Sequence, residues 1–129
     1  MANLETLRPF ITDQDYLDRL YDMEIFEKKL DVWAYCVAYA LGRGLSPAEN
    51  RGSQMGSDLV HLDGDMLDTL TVAVLSKSEE KLSSNELLNT LSAYASAGIA
   101  DIRQQTEGKS RTEIYEFLLG QVGNQVKYE

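Results

Sequence analysis

Asp58, His61, Asp63, Asp65 and Asp68 fall within eleven consecutive residues. Carboxylate oxygens and an imidazole this close in sequence are the ligand types of a divalent metal, and a metal-dependent hydrolase is the chemistry such a set would serve. The spacing matches no EF-hand, which needs acids at alternating loop positions and a terminal Glu. The competing reading is a loop entering a helix N-terminus, where acids cap the first turn and complement the helix dipole. That reading is preferred, so no metal and no cofactor are expected, with Asp58, His61, Asp63 and Asp65 kept as the candidate ligands. A second acidic set, Asp13, Asp15, Asp18, Asp22 and Glu24, reads either as a solvated helix face or as a docking surface for a basic partner. Arg43 and Arg51 bracket a stretch rich in Gly and Ser, where a phosphate or a partner could be held.

Several other chemistries lack their residues. The chain has no GxxxxGK[ST] loop, no GxGxxG after a strand, no CxxC and no HExxH. A Ser-His-Asp or Cys-His triad would have to use His61, the single histidine. Cys36, the single cysteine, lies in an apolar run, where a thiol is inert packing rather than a reactive thiolate. Trp33, Tyr35 and Tyr39 share that run and read as core rather than as a stacking platform.

The elements that position these residues are helical. Pro9 ends a short lead; Thr12 reads as an N-cap, and Tyr16, Leu17, Leu20 and Tyr21 give an apolar stripe for a helix over about 13–22. Val32–Leu41 is ten residues without a charge, and it predicts a helix over about 27–42 that is surrounded by others. Gly42 and Gly44 supply its stop, and Pro47 prevents early resumption. Residues 43–58 form one long loop, and Leu59–Leu62 reads as a brief extended stretch. Asp63 or Asp65 caps a helix over about 65–77, with Met66, Leu67, Leu70, Ala73 and Val74 on one face. Capping boxes at Ser83/Glu86 and Ser110/Glu113 open helices over about 84–107 and 111–122. In the first of these, Leu87, Leu91, Tyr94, Ala95, Gly98, Ile99 and Ile102 form the buried stripe, and Gly98 marks a close approach by a neighbouring helix. Gly123 is expected to stop the last helix, with a frayed end beyond it.

Composition sets the class. The chain has 129 residues, 43% hydrophobic and 26% charged, which fits a single domain over 1–129. The expected fold is all-α, a compact bundle of about five helices around the 27–42 helix. The formal charge of −9, from 21 acids against 12 bases, argues against direct nucleic-acid binding and against an anionic membrane surface. No apolar run approaches the roughly 20 residues that span a bilayer. The first residues lack the basic and apolar regions of a signal peptide, so a cytoplasmic location is expected. A symmetric homodimer is consistent with this size and class.

The order of features also resembles a known family. Ile25-Phe26 leads into Lys28-Lys29-Leu30-Asp31, followed by the Ala- and aromatic-rich helix ending at Leu41-Gly42. Then come Leu70-Thr-Val-Ala-Val-Leu75, Leu91-Ser-Ala-Tyr-Ala-Ser-Ala-Gly-Ile99 and Ile114-Tyr-Glu-Phe-Leu-Leu119. This resembles the small Dnd-system-associated proteins, specifically the family numbered four among them, over about residues 24–122. The acidic start and the Gly-rich middle loop depart from that pattern. The shared motifs are packing motifs and bring no active-site residues. The resemblance implies a bacterial protein encoded near DNA phosphorothioation and phage-defence genes, serving as a non-enzymatic accessory or adaptor subunit beside a larger defence or DNA-modification protein. The alternatives are a small DNA-binding regulator of such a locus and the metal-dependent hydrolase considered above.

Overall fold

The uncharged run Val32–Leu41 lies inside helix α2 (Lys29–Gly42), where Val32, Trp33, Ala34, Cys36, Val37, Tyr39 and Ala40 are all buried. The computed structural model describes residues 4–78 and 80–126, with the backbone alone over 121–126. Around α2 pack α1 (Gln14–Tyr21), α3 (Gly64–Leu75), α4 (Ser84–Thr106) and α5 (Arg111–Val126). The fold is therefore an all-α bundle of five helices about a central apolar one. Short 3-10 turns at Leu4–Thr6 and Leu59–His61 precede β1 (Phe10–Ile11) and α3 respectively, and β2 (Ser53–Gln54) lies in the loop after α2. β1 and β2 pair antiparallel, Phe10 with Gln54 and Ile11 with Ser53.

α2 ends because Gly44 takes a φ of +69°, open to glycine without steric cost. The Leu45 amide then donates to the Ala40 carbonyl at 2.9 Å and the Gly44 amide to Leu41 at 3.2 Å, closing a Schellman motif. α4, about 35 Å long at 1.5 Å per residue, crosses α2 at Gly98. A Cβ there would stand 2.1 Å from the Cys36 carbonyl oxygen, so the glycine is what lets the two backbones meet. Both capping boxes are present: the Ser83 amide donates to Glu86 and the Ser110 amide to Glu113, and each serine hydroxyl accepts the return bond.

The segment 43–58 is fastened along its length. The Ala48 amide donates to Ala93, the Met55 amide to Pro9, and Met55 is buried. Ser96 Oγ donates to the Arg51 carbonyl at 2.9 Å while accepting the Thr12 amide at 3.0 Å. Ser92 Oγ accepts the Phe10 amide, and Trp33 Nε1 donates to the Phe10 carbonyl. Two buried serines of α4 and the indole of α2 thus hold β1 in the interior.

Four expectations change. Thr12 does not cap α1: its hydroxyl donates to the Asp13 carboxylate, and the N-cap is Asp13, at a φ of +52° and with no side-chain cap bond. Leu59–His61 is a 3-10 turn rather than extended, with the His61 amide on the Asp58 carbonyl. α2 begins at Lys29 rather than near residue 27. α5 continues through Gly120 and Gly123 to Val126, since each interior glycine costs a helix only about 1 kcal/mol. Of the frayed end expected after 123, residues 127–129 lie outside the described residues.

Candidate functional site

The acids of α1 are matched by bases of the same chain. Arg103, on α4, reaches Asp13 at 3.0 Å and Asp15 at 3.2 Å, and Lys29 reaches Asp18 at 2.9 Å. Desolvation opposes ionisation of Asp15, but the hydrogen bond and charge of Arg103, with the backbone amides of Tyr16 and Asp15, together hold the carboxyl below its ordinary value. Asp22 adds to the field that raises the Lys29 ammonium, after the Asp18 hydrogen bond and against desolvation. Glu24 sits in the turn after α1 at a φ of +63°. Arg19 and Arg103 both lie against the Tyr16 ring, 5.7 and 5.3 Å from its centroid, at an open cleft of about 400 Å³ between α1 and the end of α4. The floor is closed by a buried hydrogen bond from the Tyr16 hydroxyl to Thr106, whose own hydroxyl donates to Ile102. A foreign base at Asp13, Asp15 or Asp18 would compete with these exposed pairs, while Asp22 and Glu24 enter no ion pair among the described residues.

Arg43 and Arg51 lie over different rings. Arg43 lies over the Tyr39 ring at 4.9 Å. Arg51 lies over the Phe10 ring at 3.7 Å and donates to the Asn89 side chain. Both guanidiniums are engaged with rings of the fold, at opposite ends of the 43–51 segment.

The Asp58–Asp68 set is distributed in the same way. Asp58 pairs with Arg8 at 3.2 Å. Asp63 caps α3, its Oδ1 accepting the Asp65 amide at 2.8 Å and the Met66 amide at 3.4 Å. Asp65 lies in the first turn, and His61 is exposed in the preceding 3-10 turn, its carbonyl accepting a bond from Lys28 Nζ. Among the described residues, no three His, Cys, Asp or Glu side chains converge as a metal site. Cys36 is fully buried, and burial pushes its thiol well above the ordinary range.

What stands out is α3 itself. Leu67, Leu70 and Val74 are buried against the bundle. The opposite side carries Asp65, Asp68, Thr69, Val72 and Leu75, all exposed, with Val72 65% and Leu75 40% exposed. Val60 and Met66, at the head of the helix, are also exposed. Met66 and Ala73, expected with the buried stripe, fall on its open edge. A helix this apolar is normally covered all round; here one side is uncovered. Tyr115 and Leu119 form a smaller exposed apolar pair on α5.

The sequence signal for this face was present but hidden. Leu70-Thr-Val-Ala-Val-Leu75 contains more apolar residues than one buried stripe can use. No helix of the described residues is long and apolar enough to cross a membrane. No family model matches the chain, and no curated protein or solved structure matches it with significance.

Proposed function

We propose that this chain works by protein–protein contact, as a non-enzymatic accessory subunit of a larger bacterial defence or DNA-modification assembly. The observation that carries the contact role is the uncovered apolar side of α3, with Val72 and Leu75 standing in solvent beside a well-packed core. Exposed apolar residues grouped on one helix are the usual mark of an interaction surface. The chemically capable side chains support the same reading: Cys36 is packed away, Asp58 is ion-paired, Asp63 is a cap, and the α1 acids are held by Arg103 and Lys29. The defence context rests on the resemblance over residues 24–122, whose quoted segments lie in α2 and the residues just before it, and in α3, α4 and α5.

The test is a pull-down with the tagged chain from cells that carry its neighbouring genes. Stoichiometric recovery of a larger product of those genes supports the proposal. Recovery of the chain alone, at physiological salt and with the locus expressed, overturns it.

A further inference from the structure

The exposed side of α3 has a definite polarity. Asp63, Asp65 and Asp68 lie at its N-terminal end, Val72 and Leu75 at its C-terminal end, with Thr69 between them. Asp65 and Asp68 enter no ion pair among the described residues, unlike Asp13, Asp15 and Asp18 of α1. The uncompensated negative charge of this surface therefore adjoins its exposed apolar residues. α3 has 12 residues, about 18 Å or three turns at 1.5 Å per residue, the length that one short helix can cover.

We infer that this side of α3 is a docking surface for a basic amphipathic helix of another protein. Such a helix presents apolar side chains at i, i+3, i+4 and i+7 to cover Val72 and Leu75. Its Lys or Arg residues lie toward the start of α3 and meet Asp65 and Asp68. Charge selects this occupant over a second copy. Two copies at −9 each repel, and α3 itself carries no Lys or Arg to answer Asp65 and Asp68 of a second copy. The inference rests on the contact role proposed above and specifies the chemistry of the partner.

The experiment uses the full, isotope-labelled chain and two synthetic 14-residue helical peptides, one of Leu and Lys and one of Leu and Glu on the same pattern. Amide resonances are followed by NMR during titration. The Leu/Lys peptide is expected to shift Asp65, Asp68, Thr69, Val72, Leu75 and Ser76, and the Leu/Glu peptide to leave them in place. D65K/D68K should weaken binding at least tenfold, V72S severalfold, and D15K/D18K by less than twofold. All three changes lie on exposed positions, and the dispersed spectrum of each variant confirms its fold. Equal binding of the two peptides, shifts centred on α1, or an equal loss in D15K/D18K overturns the inference. So does concentration-dependent dimerisation that moves the same amides without peptide. If the pull-down yields a larger partner and D65K/D68K retains it fully, the contact role stands and the assignment to α3 falls.

Discussion

The backbone of Gly98 lies directly against the carbonyl of Cys36, at the crossing of α4 and α2. In an open helix, Gly98→Ala would gain about 1 kcal/mol from helix propensity. Here the added methyl would have to push two helix backbones apart, and overpacking of a core costs about 3 kcal/mol. The expected outcome is a net loss of about 2 kcal/mol or more, read from urea unfolding. A neutral or stabilised variant would show that the crossing is looser than described.

Ser96 is buried and carries two bonds at once, from the Thr12 amide and to the Arg51 carbonyl. Ser96→Ala leaves both backbone groups without their partner, at a cost of about 2–3 kcal/mol. Ser92→Ala orphans the Phe10 amide and should cost roughly 1 kcal/mol. Hydrogen exchange gives an independent reading: protection of the Thr12 amide should fall in the Ser96 variant and not in the Ser92 variant.

Glu86 and Glu113 accept the backbone amides of Ser83 and Ser110, and those bonds hold both carboxyls below the reference 4.5. A carboxyl whose folded value is depressed contributes stability that is present above its unfolded value and lost as pH falls through the folded one. The capping boxes should therefore give full support above about pH 4.5 and lose it on acidification below that. Glu86→Gln/Glu113→Gln keeps an acceptor but removes the titration. Its urea midpoint should fall less between pH 5 and pH 3 than that of the parent chain; an identical decline would refute the assignment.

Cys36 is fully buried and its thiol is held protonated by burial. Reaction with a thiol reagent at pH 8 is expected to follow global unfolding, with no fast phase in the absence of denaturant. Rapid labelling of the native chain would place a local opening between α2 and α4.

Much of this fold was legible because its signals are local. Val32–Leu41 announced a buried helix by the absence of charge, the two capping boxes marked where α4 and α5 begin, and Gly98 marked the crossing. What was not legible depends on partners far away in sequence. Thr12 looks like a cap, but its amide is tied to Ser96, 84 positions later, and the helix starts one residue further on, from Asp13. Ser92 and Ser96 read as neutral small residues, and nothing near them signals that their hydroxyls tie down β1. The α1 acids looked like a free patch because Arg103 is about 90 positions distant. On α3 the apolar excess was visible, but which residues remain exposed follows from how α2 and α4 cover one side of the helix.

The anchoring of Phe10 and Thr12 by Ser92 and Ser96 has a consequence for synthesis. During synthesis Phe10 and Thr12 are made well before the side chains that hold their amides, which follow 82 and 84 positions later. α1 and α2 can form as they emerge, while the Phe10 and Thr12 amides wait for their hydroxyl partners until α4 has left the exit tunnel. The closure of β1 onto α4 is then a long-range step, slow compared with helix formation.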